Sequence, residues 1–190
     1  NTIINQEIEK LLQKGVIEVC DYQPGDFFSS VFTRPKKDGS WRMILNLKSL
    51  NEFVISPHFK MDSIQTVINM IKPNVWMASV DLKDAYFSIP IKQEHQKYLT
   101  FLWKIPYKFV AMPNGYGPAM MKFTKIMKPP VSHLRKKGHQ SVVFVDDSYL
   151  QSDTYIECEN NIKDTVELLI SLGFTIHAEK SVLVPKQEIV

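Results

Sequence analysis

Apolar residues recur along this chain at two spacings, and each spacing predicts its own kind of element. Ile4, Ile8, Leu11 and Leu12 repeat at helical intervals and Gly15 follows, which predicts an amphipathic helix stopped by glycine. Ser30–Arg34 and Trp41–Leu45 are short β-prone runs around Lys36–Ser40, where Asp38-Gly39 is a strong hairpin-turn signal. Helical spacing returns over Met61–Lys72, with Asp62 or Ser63 as cap and Ile64, Val67, Ile68 and Ile71 expected to face a core. Pro73-Asn74 stops that helix, and Val75–Val80 reads as an apolar strand ending at Asp81.

Tyr98–Trp103 and Tyr107–Met112 predict two more strands with a tight turn around Pro106, and Pro113–Pro118 is loop chemistry. A helix is expected from about Ala119 to Lys137, interrupted at Pro129-Pro130. Val142–Val145 is a buried strand, Asp146 and Asp147 the expected hairpin tip, and Ser148–Leu150 a short returning strand. Tyr155–Leu172 is a long amphipathic helix with Ile162, Val166, Leu169 and Leu172 inward and Gly173 at its end. Phe174–Ala178 begins a strand that Glu179–Val184 continues or pairs with. This order suits an α+β fold, a mainly antiparallel sheet with helices on one face.

Composition changes this picture little. The 190 residues allow one sizeable core with a lobe attached, and 44% hydrophobic with 23% charged content is ordinary for a globular protein. A net charge of +3 does not by itself announce a nucleic-acid binder. Cys20 and Cys158 lie far apart and fit no metal spacing, so a reduced intracellular setting is the default expectation. No signal peptide and no bilayer-length apolar run is visible, so no membrane partner is expected. The chain starts at Asn1 and stops inside Lys186–Val190, where a new strand is expected to begin, so it reads as a piece of something longer.

The candidate chemistry centres on carboxylates. An Asp-Asp turn alone is ordinary, because Asp bonds nearby backbone. A third acid, Asp81, ends another apolar strand. If the two strands are neighbours, three carboxylates meet at one end of a sheet. Two unit charges about 4 Å apart repel by roughly 4 kcal/mol at an effective dielectric of 20, so a cation is needed to relieve them. Magnesium suits such hard oxygen ligands, and paired magnesium ions serve in-line phosphoryl chemistry.

Lys36, Lys37, Arg42 and Lys48 lie on or beside the first hairpin. They read either as edge-protecting cations or as a grip on polyphosphate. Lys122, Lys125 and Lys128, with Arg135–Lys137, read either as a solvated face or as a track for a nucleic-acid backbone.

Taken together these boxes resemble those of a reverse transcriptase. Phe144-Val-Asp-Asp147 is similar to that family's aromatic-x-Asp-Asp box, and Ser79–Pro90 to its first acidic box. Arg34–Arg42 with Asn46–Asn51 resembles the fingers hairpin, and Glu7–Glu18 the helix before it. Leu172-Gly-Phe with Lys180 resembles the last palm motif. The wording is closest to gypsy-like and DIRS-type retrotransposons. Asn46-Leu47-Lys48 departs from a common Asp-Tyr-Arg, Asn114-Gly115 and Gly117-Pro118 depart from the usual loop, and Phe144 stands where Tyr is commoner.

The resemblance implies a right-hand polymerase fragment, an antiparallel palm sheet packed on helices with a fingers β-hairpin lobe. Residues 1–75 would be fingers, 76–102 palm, 103–118 the fingers–palm connection and 119–190 palm, with the thumb absent. The implied activity is RNA-directed DNA polymerisation, a nucleotidyl transfer to a primer 3′-hydroxyl, weak in the fragment without a thumb. Asp81, Asp146 and Asp147, with the Leu82 carbonyl, would hold two Mg2+ ions, for which Mn2+ could substitute. Lys36, Arg42, Asp84, Ala85, Tyr86 and Asn114 would bind the nucleotide, Tyr86 as sugar gate, and Lys180 would be a general acid. Implied partners are an RNA or DNA template with primer, deoxynucleoside triphosphates, and RNase H with integrase or recombinase domains in a parent polyprotein. The setting would be cytoplasmic or nuclear. Two rivals remain: another metal-dependent palm enzyme such as a nucleotide cyclase, and a decayed or domesticated remnant that binds nucleic acid without catalysis.

Overall fold

The computed structural model describes residues 2–36, 39–62 and 64–188. The expected turn residues Lys37 and Asp38 and the expected cap Ser63 lie outside the described residues. The chain forms two compact units, each discontinuous in sequence: residues 1–57 with 86–119, and residues 58–85 with 120–190.

The first unit begins with helix α1 (Thr2–Gln13), whose inward Ile8 and Leu11 are buried as the helical spacing predicts. A three-stranded antiparallel sheet follows the order β1 (Ile17–Val19), β6 (Ile105–Phe109), β5 (Thr100–Trp103). Strand β1 has only three residues, too few to show a period, and it escapes sequence reading. The β5–β6 turn sits at Lys104, with φ of 63°, and Pro106 lies inside β6 opposite Leu102. Ribbon β2 (Val31–Pro35) and β3 (Trp41–Leu45) forms the expected antiparallel hairpin, and Gly39 supplies its positive φ of 79°. Short helices α2 (Lys48–Asn51) and α4 (Gln93–Gln96) complete the unit. Its core joins Leu11, Ile17, Leu45, Leu50, Phe101 and Phe109.

The second unit is built on a four-strand path, β10 (Val182–Lys186), β4 (Trp76–Lys83), β8 (Asp147–Ser152), β7 (Gln140–Phe144), with β9 (Thr175–Ile176) also pairing with β4. All of these pairings are antiparallel. Helices α5 (Ala119–Lys136) and α6 (Tyr155–Ser171) belong to the same unit. Thr154 and Glu157 cap α6 reciprocally, each side chain taking the other's backbone N–H. Below the sheet, Phe123 of α5 meets Phe174 edge-on with ring centroids 5.9 Å apart. Among the described residues no helix is long and apolar enough to cross a membrane.

Three expectations need correction in this unit. Helix α5 runs straight through Pro129 and Pro130. The carbonyls that lose an N–H partner to those prolines belong to Lys125 and Ile126, both exposed residues on the helix surface. Helix α3 (Ile64–Met70) is shorter than Met61–Lys72 and has no buried residue. Ile64, Ile68 and Ile71 are 73%, 55% and 45% exposed, because spacing shows that a face is apolar and not what covers it. Leu172 is likewise exposed, since it is the C-cap of α6 and lies past the last inward turn.

Candidate active site: a carboxylate pair across two strands

Strand β4 buries every second residue, Ala78, Val80 and Leu82 being 0%, 1% and 2% exposed. That alternation sends Ser79 and Asp81 to the opposite face. β4 pairs with β8 in a register that sets Asp81 opposite Asp147. This register brings the Asp81 carboxyl to bear on that of Asp147. Loss of water around Asp147 is the main force holding its carboxyl above the ordinary 3.8; the Asp81 hydrogen bond and charge add to it, and the Lys180 charge opposes it.

The β7–β8 hairpin turns at Val145 and Asp146, with Phe144 paired to Asp147. The tip is therefore one residue earlier than Asp146-Asp147, and Asp147 is the first residue of the returning strand. Val145 has φ of 56°, while Asp146 has no positive φ. This is the pattern of a type II′ turn, in which glycine is usual at the first central position. A β-branched residue there is strained by about 1–3 kcal/mol and must be held by its surroundings. Two observations supply the hold: Val145 is buried, and the Asp146 carbonyl accepts the Leu82 N–H at 2.9 Å. That bond ties the turn directly to the residue after Asp81.

A second tie comes from Ser181, which sequence reading missed. Its Oγ accepts the Asp81 N–H at 2.9 Å and donates to the His177 carbonyl at 2.9 Å. The His177 N–H in turn donates to the Asp81 carbonyl at 2.8 Å, and the Lys180 N–H to the His177 carbonyl at 3.1 Å. Residues 177–181 thus form a turn that grips the backbone of Asp81 and brings Lys180 into electrostatic reach of Asp147. A serine one hundred residues from its partner leaves no local signal.

The remaining candidates divide by unit. Asp84, with φ of 53°, and buried Ala85 follow β4 in the second unit. Lys36, Arg42, Tyr86 and Asn114 belong to the first unit. Lys36 and Arg42 are exposed on the β2–β3 ribbon, where Arg42 is paired with Arg34. Tyr86 is half-buried in a 3-10 turn, Ala85–Ser88. Asn114 is exposed on a loop pinned by a second missed residue, Asn51, whose amide donates to the Gly115 carbonyl at 2.9 Å and accepts the Gly117 N–H at 2.8 Å. Asn51 does lie inside the Asn46–Asn51 box, so the signal was there without a role.

Asp81 and Asp147 fit a divalent cation, being two hard oxygen donors set opposite each other on adjacent strands. Among the described residues no group of three His, Cys, Asp or Glu side chains could hold a metal ion, so Asp146 does not close a ready three-carboxylate cage.

Similarity to known proteins runs the length of this chain. The curated relatives include the Gag-Pol polyprotein of gibbon ape leukemia virus, 24% identical over 97% of this chain and 11% of that protein. The Gag-Pro-Pol polyprotein of human T-cell leukemia virus 2 is 25% identical over 97% of this chain and 13% of that protein. The chain therefore spans about a ninth to an eighth of the length of these relatives. Among solved structures, a foamy viral protease–reverse transcriptase in complex with double-stranded DNA superimposes with a TM-score of 0.83 at 25% identity, covering 100% of this chain and 32% of that one. The native prototype foamy virus protease–reverse transcriptase gives 0.78 at 22% identity over 96% of this chain and 25% of that one. The family profile described as reverse transcriptase (RNA-dependent DNA polymerase) matches residues 34–189, and with the α+β fold and the Asp81–Asp147 pair already in place, the chain belongs to that family.

Proposed function

We propose that this chain is the fingers and palm of an RNA-directed DNA polymerase, adding deoxynucleotides to a primer 3′-hydroxyl under direction of an RNA or DNA template. The observation that carries the reading is the register that sets Asp81 opposite Asp147 on adjacent strands. Two carboxylates set side by side repel each other, and a divalent cation with hard oxygen ligands relieves that repulsion.

Asp81 and Asp147, with neighbouring Asp146 and the Leu82 carbonyl, would hold the divalent cations, for which Mg2+ is the chemical match. Bound there, such ions lower the pKa of an attacking hydroxyl and neutralise charge on the leaving pyrophosphate. The protein's own groups do the rest. Arg42 offers a bidentate fork and Lys36 a point charge to a triphosphate. The backbone N–H groups of Asp84 and Ala85 cradle phosphate oxygens, as oriented amides do. By the family resemblance Tyr86 would act as the sugar gate that disfavours a 2′-hydroxyl, and Asn114 would contribute to nucleotide binding. Lys180 gives a proton to the departing pyrophosphate.

In this reading the fingers comprise residues 1–75, the palm 76–102 and 119–190, and residues 103–118 connect them. The motif wording supports a gypsy-like or DIRS-type element, with RNase H and integrase or recombinase domains in the same polyprotein and an intracellular, cytoplasmic or nuclear setting. The foamy viral relatives are described in complex with double-stranded DNA and with an RNA/DNA hybrid, which supports a primer–template duplex as the partner here.

The test is primer extension by the natural polypeptide that carries this chain, with Asp146→Asn as the variant. Abolished extension with retained duplex binding is expected. Extension at the unaltered rate would remove Asp146 from the chemistry and the polymerase reading with it.

A further inference from the structure

A cleft of about 740 Å3 opens in the second unit against α5 and β7. Small-ligand pockets span about 300–1,000 Å3, so it is large enough for a bound molecule. Its floor is apolar, made by Met127 and Val131 of α5 with Val143 and Val145 of the hairpin. Its rim carries Lys60, Lys128 and Lys136. Among the described residues none of these three lysines has an ion-pair partner. Arg135 is already engaged, donating to the Ser141 carbonyl at 2.8 Å and pairing with Asp62 at 3.4 Å. Asp62 is the one carboxylate in the lining, against four cations.

We propose that this cleft is a binding site for a small aromatic anion, a flat ring carrying one carboxylate, sulfonate or phosphate, and that its occupation acts on the carboxylate pair through Val145. The apolar floor takes a ring out of water, which excludes a small inorganic anion as the preferred ligand. The unpartnered lysines select for negative charge and against neutral or cationic rings. Val145 then links the cleft to the chemistry. It stands in the left-handed region at φ of 56° immediately before Asp146, whose carbonyl holds Leu82 beside Asp81. A ligand that presses on Val145 therefore acts on a strained turn with little freedom to absorb the push. The coupling rests on the polymerase reading; the binding does not.

The experiment uses 1-anilinonaphthalene-8-sulfonate as probe and full-length protein labelled at valine methyls with 13C. Saturable shifts at Val131, Val143 and Val145 are expected, with affinity falling about tenfold or more in Lys128→Glu/Lys136→Glu. Val131→Trp, which fills the cleft, should abolish them; if that variant does not fold, the lysine pair carries the test. Absent valine shifts, or unchanged affinity in the lysine variant, would overturn the site. So would shifts caused by a single-stranded oligonucleotide and not by the sulfonate. In primer extension, inhibition should be equally potent at every deoxynucleotide concentration. Relief by nucleotide would place the probe in the nucleotide site and overturn the coupling. Loss of extension without any probe would strike the polymerase reading and leave the valine shifts readable.

Discussion

Asp81 and Asp147 face each other as Cα partners on the adjacent antiparallel strands β4 and β8. Loss of water raises the Asp147 carboxyl above its ordinary value, and the Asp81 charge adds to the shift. The relationship has measurable consequences for stability and for the residues that hold it.

The folded chain binds the Asp147 proton more tightly than the unfolded chain, whose ordinary value is 3.8. A raised carboxyl contributes stability that is full below the unfolded value and lost as pH rises through the folded one. In metal-free buffer, this contribution to the melting temperature should therefore fall as pH rises above 3.8, and Asp147→Asn should flatten that part of the profile. Mg2+ at neutral pH should raise the melting temperature of the parent by mass action and leave the variant unmoved. Thermal melts across pH with and without the ion check both.

Ser181→Ala removes one acceptor and one donor from the turn that grips Asp81. The expected loss is about 1–2 kcal/mol in chemical denaturation, because the Asp81 N–H is left without its partner. Primer extension should fall through kcat with little change in nucleotide KM, since Asp81 shifts while the ribbon bearing Lys36 and Arg42 is untouched. Ser181→Thr, which keeps the hydroxyl, should restore part of the rate. A KM defect alone would show that Ser181 only supports the fold.

Val145 reverses an ordinary preference. Alanine normally stabilises relative to glycine, but at φ of 56° an alanine keeps the left-handed penalty that glycine escapes. Val145→Gly should therefore be more stable than Val145→Ala by about 1 kcal/mol, although both lose the buried side chain. Paired denaturation curves decide it, and a more stable alanine variant would show a relaxed turn.

Asp164 of α6 receives His139 Nε2 at 2.9 Å and Lys137 Nζ at 3.1 Å, which tie the loop before β7 to that helix. The His139 hydrogen bond, with help from Lys137, holds the Asp164 carboxyl below 3.8. A lowered carboxyl contributes stability that is present above the unfolded value and lost as pH falls through the folded one. Asp164→Asn should cost about 0.5–1 kcal/mol at pH near 7, the range for partly exposed pairs, and nothing in strong acid. Denaturation of parent and variant at the two pH values measures the difference.

The ribbon around Gly39, helix α1 and the β7–β8 hairpin were legible in the sequence because each is specified by neighbours in the chain: a turn dipeptide, a helical repeat, an apolar run broken by acids. Where the reading failed, the deciding partner was remote. The apolar stripe of α3 was real, yet Ile64, Ile68 and Ile71 stay exposed because none of the described residues covers them. The continuity of α5 through Pro129 and Pro130 goes with the exposure of Lys125 and Ile126, the residues whose carbonyls lose a partner, which a helical repeat does not encode.

By itself the sequence singled out Asp81, Asp146 and Asp147 as candidates for the chemistry, since each follows an apolar run in the local pattern. Only the tertiary structure decided that Asp81 pairs with Asp147, that the turn falls at Val145, and that Ser181 and Asn51 hold the backbone of the active elements. The physical reason is register: an antiparallel pairing slipped by one residue would send a carboxylate to the opposite face, and that register is set by burial across strands far apart in the chain.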